Sequence, residues 1–311
     1  MTAKLDLIEQ TAEQPVPLAV PLPERRRQVE RRAWVSIRAA GGRPTGDREQ
    51  VWSHAVIHYD ARTLNLLREL TVSQYKLKDQ STFFGLLWSF LNPLFMVGVL
   101  FVFFHSRLGE TVEHYGIFLL LGLVQYTHFS NATNSSMRVL LSMRQLTKEA
   151  VFPKEFLVFS STIANSIDLI IAMGVCTLVA YAVGVTPSWN VLFLPCVVVL
   201  QLLLVTWVSL ILSWMFLFAR DIGHIYQVFL RALLFITPIF YTSSFLGDGL
   251  AQHLVLLNPL AQFIELSRSI LLQGAAPSPQ WLLGLLSINV LLVGLAFRLF
   301  KAFEPRLAEY V

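Results

Sequence analysis

Few residues in this chain combine the types and spacings that bond-making chemistry needs. His54 and His58 stand one helical turn apart, a spacing that could offer two imidazoles to a metal, but no further ligand accompanies them. Glu113 with His114, and Asp221 with His224, are isolated carboxylate–histidine neighbours rather than a clustered acid/base set. The two cysteines, Cys176 and Cys196, lie inside apolar blocks and read as small packing residues. No Gly-x-x-x-x-Gly-Lys-Ser/Thr run is present to cradle a nucleotide, and Gly41, Gly42 and Gly46 lack both the lysine and the strand–helix context. The residues thus point to no catalytic group and no metal centre. One ionisable group lies deep in an apolar block: Asp168, with Asn165 about one turn before it. Such a charge is expensive in hydrocarbon. Arg231 is its candidate partner in a structural intramembrane pair. A proton-coupling role is the rival, weakened because carriers of that kind use several acidic groups.

The elements that would position these residues follow from composition. The chain is 55% hydrophobic and 14% charged, with mean hydropathy +0.58, too apolar for a soluble domain. Its apolar residues fall in blocks of roughly 20, the length of a bilayer-crossing helix. The reading is an all-α polytopic membrane protein. Six transmembrane helices are expected near 83–104, 116–136, 156–185, 191–219, 225–245 and 281–300. Asn92-Pro93 should kink the first. The net charge is +4, but its cations gather in alternate loops. Arg62, Arg68, Lys76, Lys78, Arg138, Arg144, Lys148, Lys154, Arg220, Arg298, Lys301 and Arg306 fall on one side, Arg107 and Arg268 on the other. That bias puts both termini in the cytoplasm and speaks for membrane orientation rather than nucleic-acid binding.

Four regions result: residues 1–60, a polar, proline- and arginine-rich cytoplasmic tail without signal-peptide features; 61–80, an interfacial amphipathic helix; 81–305, the transmembrane domain; and 306–311, a cytoplasmic tail. In the helix, Leu64, Leu66, Leu67, Leu70, Tyr75 and Leu77 oppose Arg62, Asn65, Arg68, Glu69 and Lys76. Gly249–Gly274 does not fit a simple crossing. Asn258-Pro259 cuts it into two short pieces, and Gln262, Glu265 and Arg268 share a helical face opposite Leu260, Phe263 and Ile264. It reads as a re-entrant outer hairpin between helices five and six, those polar residues lining a watery path; a helix lying on the outer surface is the alternative.

Between the second and third blocks lies a short cationic stretch, Arg138–Glu155, ending in an amphipathic piece with Phe152-Pro153. Around it stand Tyr75-Lys-Leu-Lys, Gly85-Leu-Leu-Trp88, Leu91-Asn-Pro93, Lys148-Glu-Ala-Val-Phe-Pro-Lys-Glu155, Arg220-Asp221, Thr237-Pro-Ile-Phe-Tyr241 and Asn258-Pro259. This ordered set, over Tyr75 to Arg306, resembles the membrane subunit of type-2 ABC exporters for polysaccharides, those of O-antigen, teichoic acid, capsule and actinobacterial galactan. The resemblance implies a homodimeric permease in the bacterial inner membrane. Two separate cytoplasmic ATPase subunits would bind the ATP and magnesium, and this chain would hold no cofactor. The cargo would be a glycan still attached to polyprenyl pyrophosphate.

Residue roles follow the same resemblance. Lys148, Glu149, Val151, Phe152, Pro153, Lys154 and Glu155 would form the coupling helix, with Phe152 as an apolar plug in the ATPase and Glu149, Lys154 and Glu155 as its orienting ion pairs. Phe84, Trp88, Phe95, Tyr126, Phe235, Phe240 and Tyr241 would line or gate the path, since aromatic faces stack on sugars. Lys76, Lys78 and Arg220 would meet the lipid headgroup. Two other classes remain open: a membrane glycosyltransferase or acyltransferase, which needs a larger acid/base cluster than the sequence offers, and a secondary transporter, for which no inverted repeat is apparent.

Overall fold

The computed structural model describes residues 61–79, 87–108, 112–148, 153–186, 188–242 and 249–307. Two compact units divide the chain, Met1–Leu66 and Leu67–Val311, and the packing below belongs to the second. Among the described residues the structure is helical, with no strand. Ten α-helices follow in order: α1 (Ala61–Asp79), α2 (Leu87–Leu108), α3 (Tyr115–Ser142), α4 (Arg144–Lys148), α5 (Glu155–Ala182), α6 (Leu194–Phe218), α7 (Ile222–Ile236), α8 (Leu250–Leu257), α9 (Pro259–Leu271) and α10 (Pro279–Leu307). A short 3-10 turn, Trp189–Phe193, leads into α6. Among the described residues, three stretches are long and apolar enough to cross a bilayer: Glu155–Ala182, Trp189–Phe218 and Pro279–Glu304. His54, His58 and the arginine cluster of the N-terminal tail lie outside the described residues.

The bundle is built around α3. In its first half, Ile117 to Val124 are buried without interruption, the signature of a helix surrounded on every side. α5 and α6 pack along it, α2, α7 and α9 complete the ring, and α10 lies outside against α6. Hydroxyl pairs stitch the interfaces: Ser136 Oγ donates to Ser161 Oγ at 2.9 Å, and the Tyr226 hydroxyl to Thr133 Oγ1 at 2.7 Å. Small polar residues let helices approach closely where lipid offers no hydrophobic drive between them. α10 keeps most of its apolar surface exposed, as a lipid-facing helix must.

Local chemistry sets the helix ends. Glu155 opens α5, where an anion complements the helix dipole. A proline stands in the first turn of α6, and Asn258 caps α9 by accepting from Leu260 N–H at 3.1 Å. The amphipathic helix expected over 61–80 is α1. Leu70 is buried, and Gln74 Nε2 donates to Ser160 Oγ (2.5 Å) and to the Leu157 carbonyl (3.2 Å) of α5. Leu64, expected on its apolar side, is exposed, and the Leu77 side chain lies outside the described residues. α2 continues through Asn92-Pro93 without interruption.

The fifth block corrects the sequence reading. A helix was expected to run to about Phe245, but α7 ends at Ile236 and Thr237–Tyr241 is a non-helical bend. The cause is Pro238, which bars helical geometry at Thr237, found extended at φ −75°, ψ 131°. Apolar character continues past the break; helical geometry does not.

Centrality of α3 has a measurable consequence. Leu119 is fully enclosed and Leu291 on α10 is exposed. Leu119→Ala is expected to destabilise the protein by about 2–5 kcal/mol, and Leu291→Ala by no more than about 0.5 kcal/mol. Thermal melting of the detergent-solubilised protein, followed by size-exclusion chromatography, checks the contrast.

Candidate functional site

The motifs of the second half of the chain meet at one corner. Where α7 breaks, the carbonyls of Pro238 and Ile239 have no helical partner, and in hydrocarbon each such group costs several kcal/mol if left bare. Arg268, on α9, reaches them. Its Nη1 donates to the Pro238 carbonyl at 2.7 Å, and its Nη2 to the Ile239 carbonyl at 3.0 Å. The same guanidinium bonds the Phe118 carbonyl of α3, through Nε at 3.3 Å and Nη2 at 3.0 Å. It also lies over the Phe118 ring, 3.3 Å from the centroid. Glu265, one turn earlier and half-exposed, faces it at 3.6 Å. Two further bonds close the corner: the Tyr115 hydroxyl donates to the Phe240 carbonyl at 2.9 Å, and Asn258 Nδ2 to Thr237 Oγ1 at 2.9 Å. Gly122 leaves room for the guanidinium; a Cβ there would stand 2.9 Å from Nη2 and 3.1 Å from Ile239 Cγ2.

This geometry corrects the expectation that Arg268 lines a watery path: it is 2% exposed and spends its donors on carbonyls. A cation on the polar side of an amphipathic helix can be satisfied by backbone as well as by water. Gln262 stays half-exposed and donates to the Leu256 carbonyl at 3.2 Å.

At the other end of α3, the chain turns through α4 toward α5. Met143 N–H donates to the Val139 carbonyl, and Thr147 Oγ1 to the Leu140 carbonyl at 2.7 Å, tying α4 to the end of α3. Of the residues assigned to a coupling helix, Lys148 is exposed at the end of α4 and Pro153 half-buried; Glu149, Val151 and Phe152 lie outside the described residues. Lys154 and Glu155 differ from expectation. Instead of standing free for a partner, they belong to a charge cluster with the end of α10. Lys301 Nζ lies 2.7 Å from Glu155 Oε1 and 2.8 Å from Glu304 Oε2. Lys154 Nζ donates to the Glu304 carbonyl at 3.4 Å. Glu155 is wholly buried, so its charge requires a partner inside the protein. Burial pulls the Lys154 ammonium below the usual lysine range, against the opposing pull of Glu304. Aromatic contacts bind the same end of α10: Trp214 stacks on Phe303 with centroids 4.4 Å apart, and Phe159 on Phe297.

Between the two ends runs a polar seam. Gln125 Nε2 donates to Ser267 Oγ at 2.9 Å, Gln201 Nε2 to the Gln125 carbonyl at 2.8 Å, and Gln201 Nε2 lies 3.1 Å from His128 Nδ1. Beside it, Thr127, His128, Asn131, Asn165 and Asp168 line a hollow of about 30 Å³. The expected Asp168–Arg231 pair does not form: Asp168 faces this hollow between α3 and α5, and Arg231 is exposed on α7. Similar depth in two blocks does not place two residues on facing sides.

The aromatic candidates scatter. Phe95 and Phe235 are exposed, Phe240 is buried and Tyr241 half-buried. Tyr126 is half-buried, its hydroxyl donating to the Leu230 carbonyl at 2.6 Å. Tyr241 donates to the Phe235 carbonyl at 2.8 Å. Phe84 and the Trp88 side chain lie outside the described residues. Among the headgroup candidates, Lys76 and Arg220 are exposed, and the Lys78 side chain lies outside. Arg220 and Arg138 both approach the Phe216 ring, at 5.7 and 5.2 Å from its centroid. Sequence reasoning missed Tyr115, Gly122, Lys301 and Glu304 as site residues. A faint signal existed in the i,i+3 pair Lys301–Glu304; none marked Gly122.

A bundle of apolar helices with a seventh helix stopped before Pro238, a pair of short helices locked to its central helix by a buried arginine, and a buried charge cluster at the other end is the class these features define. The family model described as ABC-2 type transporter matches residues 65–272, and the chain belongs to that family. Among curated proteins it is similar to the O-antigen export system permease protein RfbA of Myxococcus xanthus, 26% identical over 247 residues that cover 79% of this chain and 95% of the relative. A protein of the same name from Klebsiella pneumoniae is 24% identical over 246 residues, covering 79% of this chain and 94% of the relative.

The charge cluster yields a test. Lys301→Met strands Glu155 and is expected to destabilise by about 3–5 kcal/mol, the range for removing one partner of a buried pair. Exchanging the two charges, Glu155→Lys with Lys301→Glu, keeps two cations and two anions in the cluster and should recover most of that loss. Melting temperatures of the single and double variants in detergent read the result.

Proposed function

We propose that this chain is the membrane subunit of an ATP-driven exporter. It would carry a polysaccharide of O-antigen or galactan type, attached to polyprenyl pyrophosphate, out of the cytoplasm across the inner membrane. What carries the reading is the family membership joined to relatives named as O-antigen export permeases and matched over nearly their whole length. The chain would work as a homodimer with two cytoplasmic ATPase subunits, which hold the ATP and magnesium; its own role is passage, not catalysis. In this arrangement both termini are cytoplasmic and six helices cross the membrane: α2, α3, α5, α6, α7 and α10. α1 lies in the inner interface, and α8–α9 form the re-entrant outer hairpin.

The segment between α4 and α5 then faces the cytoplasm, where the ATPase docks, with Phe152 as the apolar anchor and Lys148 as a further contact. Lys154 and Glu155 serve this contact from within, because their charges are engaged with Lys301 and Glu304. Lys76 and Arg220, exposed at inner-side positions, are suited to a diphosphate headgroup. Phe95 and Phe235 present aromatic faces at the surface of one chain, available to glycan or to a second copy.

Co-expression with the cognate ATPase tests the reading. The wild-type pair should co-purify and export lipid-linked glycan into inverted vesicles only with ATP. Phe152→Ala should insert normally but lower ATPase affinity by about tenfold or more, the loss typical of an apolar hot spot. Glycan movement driven by a proton gradient without ATP, or turnover of a lipid-linked sugar by the chain alone, would refute the proposal.

A further inference from the structure

α3 is an unbroken helix from Tyr115 to Ser142, about 42 Å at 1.5 Å per residue. At one end α3 stops at Met143, and α4 is tied to it across that break by Thr147 Oγ1 on the Leu140 carbonyl. The other carries Tyr115, Phe118 and Gly122, and there Arg268 binds it to α9 and to the break after α7. A second bond lower down, Gln125 to Ser267, ties the same two helices. An arginine kept 2% exposed in an apolar bundle is an expensive way to fill space. Its planar fork, however, can hold three carbonyls from two chain segments in fixed register, which a lysine or an apolar side chain cannot. Gly122 completes the device, since any larger residue would displace the guanidinium.

We propose that Arg268 is a positioning residue that fastens the α8–α9 hairpin and the Thr237–Phe240 break to the far end of α3, so that this corner moves with α3 as one body. Resting on the exporter reading for its driving force, the proposal makes α3 the rod by which ATPase movement at α4 reaches the outer hairpin. The hairpin is then moved by the rod rather than opening on its own.

The test uses the full chain with Cys176 and Cys196 replaced by Ala and spin labels at Glu113→Cys and Leu257→Cys, both exposed positions. The label-to-label distance across the latch should stay the same between the ATP-free protein and the vanadate-trapped complex with the ATPase. Arg268→Met should broaden that distribution already in the ATP-free chain. Arg268→Lys and Gly122→Ala, milder changes, keep the test usable should the methionine variant not fold. In vesicles the milder variants should bind the ATPase, and the complexes should hydrolyse ATP normally, while glycan exported per ATP falls at least about fivefold, the low end of measured coupling between sites. A purely structural arginine would instead lower protein level and ATPase binding together. The inference is overturned if the wild-type distance shifts on trapping, if the variants' ATP-free distributions match wild type, or if export per ATP is unchanged. Failure of wild-type chain to bind an ATPase would sink the exporter reading alone, because the ATP-free distances judge the latch without it.

Discussion

Hydrocarbon supplies no hydrogen bonds, so the carbonyls of a non-helical bend inside a bundle must find donors within the protein. That constraint organises the far end of this chain. Pro238 ends α7 early, and the carbonyls it leaves exposed call for a donor with reach and several N–H groups. Arg268 supplies one, but only because Asn258-Pro259 turns α9 back toward α3 and Gly122 stands aside. The break, the placement of α9 and the glycine are therefore one solution to one problem. A change at any of the three would leave the other two without a purpose.

The opposite end obeys a related constraint with the other sign. Glu155 opens α5 as a buried anion, favourable for the helix dipole but unacceptable without a counter-charge. Lys301 provides it from the last helix, with Glu304 and Lys154 completing a neutral set. Buried charge sets of this kind add little stability over an apolar filling, whereas they tolerate only one register between the elements that share them. Their effect here is to fix where the chain enters α5 relative to α10, the helix otherwise held mainly by packing against α6 and by aromatic stacks.

Much of the fold was legible because length and hydropathy report helix existence well: α1, α5 and α6 fall within a few residues of the blocks read from sequence, while α3 and α10 begin on their blocks and run on past the expected ends. The end of α7 was not, because hydropathy scores the transfer of side chains and is blind to the backbone. The run Ile239-Phe240-Tyr241 is as apolar as a helix would be, yet Pro238 had already closed that option. The candidate site was legible as a set of positions and misread in its chemistry. The spacing of Glu265 and Arg268 gives the helical face but not what that face meets. Asp168 and Arg231 share a depth without sharing an interface, and Glu155 meets a lysine 146 residues further on.

The two ends are best understood through what joins them. α3 is buried around its first half, so it cannot bend toward lipid or slide past α9 without breaking the bonds of Arg268 and Gln125. Its second half turns more polar, through Asn131, Asn134 and Arg138, and opens onto the small hollow beside Asp168. A helix gripped at one end and less tightly enclosed along the rest has its freedom of movement at the α4 end, where a partner would push. Stiffness and looseness are thus distributed along one element, stiff at the Arg268 end and looser toward α4.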